Sequence, residues 1–389
     1  MNKRKVVAII DADLIGRSHH KFPNLACMKI SGYFKSKGDV EVVLKRDYED
    51  LQKYDRVYIS KVFTDTLVDE EVLMLPNVRY GGTGFFYDKA PKLPDKVEHC
   101  MPDYHLYDEW VDEQLAKGIS RKKLEMYIDY SIGFTTRGCF RKCEFCVNKN
   151  SDRVERHSAL DEFVDPERKV ICLLDDNVLG SPHWKEIFQA LRDTGKYFQY
   201  KQGLDERLLT DEKCEVLFSS RWYGDYIFAF DNVADYELVE KKLQLIRKHT
   251  YKENIKFYVL CGFDRQDKWD EDFWRQDIYD LWKRIELLMK YRVRPYVMKF
   301  ARYSESPYKD AYTHISGWCN FPRDFWKFSF RERCEDKQGD KTELCNAMKC
   351  LKMLEKEMPD LAEKYFDIKF KDFEENNHKM MEKRRGRKL

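Results

Sequence analysis

Hydrophobic patterning predicts an α/β protein: a doubly wound parallel sheet over residues 1–110, six strand–helix units over 129–300, and a mostly helical region over 301–389. Three observations predict it. Short apolar runs alternate with helically spaced apolar residues along the first 300 positions, as parallel strands and their crossover helices do. Glycine, proline and aspartate punctuate the strand ends. The strand–helix rhythm stops near Phe300, after which helical stretches dominate.

Val6-Val7-Ala8-Ile9-Ile10 reads as a strand buried on both faces. Asp11 and Asp13 end that run. Phe22-Pro23 opens a helical pattern with Leu25, Met28, Ile30, Tyr33 and Phe34 on one side, and Gly38 stops it. Further strands are predicted at Val40–Leu44, Arg56–Ser60 and Val78–Tyr80, the last leading into the turn Gly81-Gly82-Thr83-Gly84. A connector follows, assigned to residues 111–128 after a stretch broken by Pro91, Pro94 and Pro102. Its charged helical pattern runs from about Tyr107 to Tyr127, and Tyr104, Tyr107 and Trp110 suit packing against a neighbouring element.

The strands of the 129–300 segment are expected at Ser131–Thr135, Val170–Leu174, Phe198–Lys201, Tyr226–Phe230, Ile255–Leu260 and Pro295–Phe300. Helices are expected from about His183 to Asp193, from about Asp211, through Leu238–Ile246 and through Ile278–Leu288. Beyond them, Trp318 to Pro322 is turn-like, aromatic residues cluster at 325–330, and Leu344–Lys356 is helical.

The stretch Gly138-Cys139-Phe140-Arg141-Lys142-Cys143-Glu144-Phe145-Cys146 follows the first of these strands. Its cysteines are spaced C-x3-C-x2-C, and the next cysteine is Cys172. Structural zinc sites close four ligands, usually from C-x2-C pairs. Common ferredoxin spacings put every iron under a cysteine. Three thiolates on a short loop instead hold three irons of a cubane and leave the fourth open.

This stretch resembles the signature of the radical S-adenosylmethionine (SAM) superfamily, C-x3-C-x-aromatic-C, with Phe145 in the aromatic slot. The resemblance implies a partial (β/α)6 barrel, which the six strand–helix units of 129–300 match, and a 4Fe-4S cluster on Cys139, Cys143 and Cys146. It implies SAM on the open iron, reductive cleavage to a 5′-deoxyadenosyl radical, and hydrogen abstraction from a substrate. It also implies a one-electron reductant of flavodoxin or ferredoxin type. A SAM site would draw on polar residues just past the strand ends. Asp176 or Asn177 would take the ammonium in place of the family's glycine-rich motif. Gln202 and Arg207 follow the third strand, and Arg207 would clamp the carboxylate. Asp231 would accept from the ribose hydroxyls, and Gly262 would admit backbone close to adenine. The competing reading of Asp176, Asn177 and Asp231 is helix capping.

Residues 1–110 are similar to the cobalamin-binding domain that precedes the core in one radical SAM group. The Ser60 turn and the Gly81-Gly82 turn stand where that domain would cradle the cofactor's nucleotide tail. The sequence departs from D-x-H-x-x-G: Asp11-Ala12-Asp13-Leu14-Ile15-Gly16 carries no histidine, and His19 and His20 are out of register. Two readings follow, a cobalamin site without a histidine ligand and a cofactor-free relic that now helps hold substrate, the second favoured.

Composition narrows the rest. Lys and Arg number 71 against 69 Asp and Glu, a net charge of +2, so bulk charge gives no general pull toward nucleic acid. No apolar run approaches the roughly 18 residues of a membrane span, and the amino-terminal stretch lacks a signal-peptide core, so a cytoplasmic protein is expected. Twelve cysteines then suggest thiols and metal ligands rather than disulfides. Cys319, Cys334, Cys345 and Cys350 include no C-x2-C pair, a weak pattern for a second cluster. Lys383, Arg384, Arg385, Arg387 and Lys388 form a basic terminus that suits either contact with nucleic acid or plain solvation. Two other functions share these features: an iron–sulfur or redox-sensing protein without radical catalysis, and a nucleic-acid-modifying methyl or methylthio transferase.

Overall fold

A computed structural model describes residues 4–18, 22–148 and 151–373. His19, His20 and the basic terminus lie outside the described residues. The chain divides into two units, residues 1–201 and 202–389, and each is described by itself.

The first unit opens with four parallel strands: β1 (Lys5–Asp11), β2 (Val40–Leu44), β3 (Arg56–Ser60) and β4 (Val78–Gly81), in the order β2-β1-β3-β4. β1 is interior, so both its faces are covered, and Val7 to Asp11 are all buried. That burial is why its sequence is continuously apolar rather than alternating. The helix Leu25–Lys35 starts where the Asn24 side chain accepts from Cys27 N, and buries Cys27, Met28 and Ile30. Ala8, Ile10, Val57, Ile59 and Val78 form a core to which Val68, Val72 and Leu73 add. The connector is a shorter helix than expected, Asp108–Ala116, because Gly118 turns the chain at φ +82°.

Three more parallel strands complete this unit: β5 (Tyr130–Gly133), β8 (Val170–Leu173) and β9 (Tyr197–Tyr200), ordered β5-β8-β9. An antiparallel ribbon of β6 (Thr136–Arg137) and β7 (Glu155–Arg156), which no sequence pattern announces, follows β5. The helix Trp184–Asp193 packs Phe188 against Phe198 and Tyr200.

The second unit holds the last three parallel strands, β10 (Tyr226–Ala229), β11 (Ile255–Cys261) and β12 (Arg294–Lys299), in that order. Helices Asp211–Ser219, Tyr236–His249 and Glu271–Lys290 stand where the periodicity placed them. Helices then dominate, as expected. Four of them have no individual signal in the sequence, Lys309–Cys319, Pro322–Lys327, Phe330–Gln338 and Pro359–Tyr365, and Trp318 and Cys319 are the buried end of the first rather than a turn. The helix Asn346–Glu357 follows the predicted one closely. Cys319, Cys334 and Cys350 are buried among these helices, and burial pushes the Cys334 thiol up to about 12. A thiol held neutral by burial is a poor metal ligand.

Candidate functional site

In the first unit, the cysteine loop is fixed by three consecutive residues after β8. Asp175, 2% exposed, accepts from Thr135 N (3.1 Å), Thr135 Oγ1 (2.5 Å), Thr136 N (2.6 Å) and Thr136 Oγ1 (2.7 Å). Burial pushes its carboxyl above the ordinary range, and the threonine donors pull it back. Asp176 accepts from Gly138 N at 2.8 Å and Asn148 Nδ2 at 2.7 Å, tying together the two flanks of the loop. Asn177 donates through Nδ2 to Cys139 Sγ at 3.4 Å. Asn177 stands at the N-cap position of the short helix Val178–Gly180, but its side chain makes no capping bond. The cap after β10 belongs to Asn232, which accepts from Ala234 N.

The loop needs glycine at 138. Its φ is +92°, and a Cβ there would stand 2.4 Å from the Arg153 carbonyl oxygen. The three cysteines and Phe145 are half-buried. Cys139 Sγ accepts from Arg141 N (3.5 Å) as well as Asn177, and Cys146 Sγ accepts from Asn148 N (3.3 Å). N–H donors aimed at sulfur stabilise the thiolate, the form that ligates a metal. By donor chemistry the loop fits an iron–sulfur cluster. Among the described residues no group of three or more His, Cys, Asp or Glu is already gathered to hold a metal.

Beside the loop lies an ionic knot that sequence reasoning missed. Glu98 Oε1 meets Lys29 Nζ at 2.9 Å, His157 Nε2 at 2.9 Å and Arg137 Nη2 at 3.7 Å. Burial opposes its charge, but the His157 and Lys29 bonds outweigh burial and bring it down to about 2. Arg137 also lies over the Phe134 ring, 3.3 Å from its centroid. These residues are scattered between positions 29 and 157, so no local pattern could have joined them.

The second unit holds the other four predicted residues. Gln202 is exposed. Arg207 Nε donates to Asp205 Oδ1 at 2.7 Å and lies 3.9 Å from Glu206 Oε1. Glu206 is buried, and desolvation with Asp205 nearby raises it to about 8. Asp231 keeps part of its surface exposed, but its carboxyl is enclosed, and that desolvation raises it to about 6. Its Oδ1 accepts from Leu260 N at 3.2 Å. Gly262, at φ +72°, donates its N–H to Asp277 Oδ2 at 2.7 Å.

At the end of the amino-terminal sheet, the two turns expected to cradle a cofactor tail rest on each other. A Cβ on Gly82 would stand 2.2 Å from the Lys61 carbonyl oxygen. Gly84 N donates to that oxygen at 3.1 Å. Ser60 Oγ bonds Asn24 Nδ2 at 3.1 Å, and Lys61 Nζ donates to Thr66 O at 2.7 Å. Asp13 accepts from Val62 N at 2.6 Å and from the Thr66 hydroxyl. From the connector, the Tyr107 hydroxyl donates to Asp11 at 2.8 Å and accepts from Asn24 N at 3.1 Å. These groups satisfy one another, so a cobalamin tail placed there would have to displace these bonds.

No protein-family model and no curated protein matches the chain. Among solved structures it is similar to the cobalamin-dependent S-adenosylmethionine radical enzyme OxsB. The apo form shares 14% identity and the aqua-cobalamin form 12%, each with a TM-score of 0.35. Each alignment covers 77% of this chain and 49% of the other, so the chain spans about half the length of those structures. Likeness of that extent relates no individual residue of one chain to the other.

Proposed function

We propose that the chain is a radical SAM enzyme whose 4Fe-4S cluster is held by Cys139, Cys143 and Cys146. The observation that carries the reading is the loop itself: three cysteines at C-x3-C-x2-C, with N–H donors on Cys139 and Cys146 sulfur, at the carboxyl end of a parallel strand. That end of α/β strands is where chemistry collects. A cluster bound there, with SAM on its open iron, supplies one-electron cleavage of the sulfonium and so hydrogen abstraction from carbon.

The chain's own residues do the positioning. Asp175 holds the loop's base through both threonines, Asp176 closes it through Gly138 and Asn148, and Asn177 aims an N–H at Cys139. Phe145 belongs to the same loop. For SAM, the assignment read from the sequence is Asp176 or Asn177 to the ammonium, Arg207 to the carboxylate, Asp231 to the ribose and Gly262 beside adenine, with Gln202 as a further contact. Asp176 already bonds two loop donors, so it serves SAM only through lone pairs they leave. Arg207 enters with Asp205 beside it, which orients the guanidinium and tempers its charge.

The proposed organisation keeps a sheet domain over 1–110, a connector over 111–128, the radical SAM core over 129–300 and a helical region over 301–389. Of the two readings of the amino-terminal sheet, the cofactor-free relic that helps hold substrate is favoured by the bonds among Asp13, Ser60, Lys61 and their neighbours, and a cobalamin bound there would lack a histidine ligand. A one-electron reductant of flavodoxin or ferredoxin type is the expected partner. No helix among the described residues is long and apolar enough to cross a membrane. Anaerobic reconstitution with iron and sulfide, followed by SAM, dithionite and candidate substrates, tests the assignment by mass spectrometry. Formation of 5′-deoxyadenosine supports it. A full cluster without SAM cleavage supports the redox-sensing alternative instead.

A further inference from the structure

Arg284 is 2% exposed on the helix Glu271–Lys290. It is not placed there by packing alone, since an apolar residue would fill the space without desolvating a charge. Its guanidinium converges on the carboxyl ends of two neighbouring strands. Nη1 lies 2.7 Å from Leu260 O, 3.1 Å from Phe230 O and 3.2 Å from Asp231 O. Nε donates to Asp280 O at 3.1 Å, which fixes the plane of the fork. Nη2 stands 3.9 Å from Asp277 Oδ1, two helical turns back on the same face. The other oxygen of Asp277 accepts from Gly262 N and from the Tyr312 hydroxyl, both at 2.7 Å. Tyr312 is fully buried.

One connected network therefore sets two turns at once. On the β10 side it holds the main chain of Asp231, whose carboxyl is pinned to Leu260 N. On the β11 side it holds the amide of Gly262 in a conformation at φ +72° that other residues rarely adopt. The surroundings of Gly262 are aromatic. Trp269 Nε1 donates to its carbonyl at 3.4 Å, a Cβ on Gly262 would meet Tyr303 at 3.2 Å, and Phe263 packs edge-on against Phe300 at 4.8 Å. Asp231 keeps part of its surface exposed and bonds Leu260 through Oδ1 alone, so its other oxygen, beside an aromatic-rich turn, suits a nucleoside, whose ribose diol donates and whose base stacks.

We propose that Arg284, acting through Asp277 and Tyr312, is the positioning residue for the nucleoside half of SAM. This rests on the SAM reading and adds to it a network that touches no ligand atom. The predicted consequence is selective: disturbing the network weakens the nucleoside end of the ligand and spares the amino-acid end.

The test uses the full chain. Affinities for SAM and 5′-methylthioadenosine are measured by calorimetry, and for methionine on cluster-reconstituted protein, with thermal melts of each variant. In Arg284→Lys a single ammonium replaces the fork, losing at least one charge-assisted bond, and 5′-methylthioadenosine affinity falls roughly tenfold or more. In Tyr312→Phe one bond to Asp277 goes, and the fall is roughly twofold to tenfold. Methionine affinity stays within about twofold of wild type in both. Wild-type affinity for 5′-methylthioadenosine in both variants overturns the proposal and leaves the SAM reading standing. Equal loss for methionine and nucleoside also overturns it, because the role is then only structural. Wild-type protein that binds neither SAM nor the nucleoside overturns both. Should Arg284→Lys fail to fold, Tyr312→Phe decides alone.

Discussion

Replacing Asp175 by alanine tests how the cysteine loop is held. The side chain receives four hydrogen bonds, two from main-chain N–H groups of Thr135 and Thr136 and two from their hydroxyls. The hydroxyls can rotate toward other acceptors, whereas the two amides are fixed in the backbone, Thr136 within β6 and Thr135 just before it. Each buried donor left without a partner costs about 1–3 kcal/mol, so the pair costs about 2–6 kcal/mol. At about 1.4 kcal/mol per tenfold, local opening at the loop's base rises roughly 30-fold to more than 10⁴-fold. That is a sizeable share of the ~5–15 kcal/mol that holds a domain together. The expected outcome is a folded protein with a lower urea midpoint and a sub-stoichiometric cluster after reconstitution. Asp175→Asn, which keeps one carbonyl acceptor, falls in between. Iron content and urea midpoint are the assays. If Asp175→Ala takes up the wild-type iron content and unfolds at the wild-type midpoint, Asp175 does not hold the loop.

Three further outcomes are expected. Gly138→Ala puts a methyl 2.4 Å from the Arg153 carbonyl and forces a non-glycine residue to φ +92°, so its iron content after reconstitution should drop well below wild type; full loading contradicts the strain argument. Glu206, raised by burial to about 8 from an unfolded value near 4.5, favours folding when protonated. Its contribution is complete below about pH 4.5 and is lost as pH rises toward 8, at up to roughly 1.4 kcal/mol per unit; Glu206→Gln should flatten stability against pH over that window, and an unchanged slope refutes it. Finally, hydroxocobalamin should not co-purify with or bind the chain by absorbance titration, because Gly82, Lys61, Ser60 and Asp13 are engaged with one another; stoichiometric binding overturns that.

Elements set by local patterning were legible in the sequence. The run Val6–Ile10 announced an interior strand because burial on both faces leaves no polar positions. The cysteine spacing and Gly138 marked the loop. What escaped depends on contacts between distant residues. Asp175 reads as one of several strand-end acids, and its threonine partners lie 39 and 40 positions away. Arg284 falls in a helix whose periodicity is dominated by Ile278, Leu281 and Ile285, so it passes for a surface residue until the strand-end carbonyls are seen around it. The helix Lys309–Cys319 was missed because Ser316, Gly317 and the aromatics near it mimic turn composition, while burial of Trp318 stabilises the helix. The Asp176 and Asn177 side chains illustrate the same limit. Capping was one of their two local readings, and the loop across from them takes the bonds a cap would use.

The most direct test of the central claim is SAM cleavage by the reconstituted chain and by its Cys143→Ala variant, each with dithionite under anaerobic conditions. The account predicts 5′-deoxyadenosine and methionine from the wild-type chain, and neither product from Cys143→Ala, which also fails to assemble the cluster. Wild-type cluster content and undiminished cleavage in Cys143→Ala would contradict it.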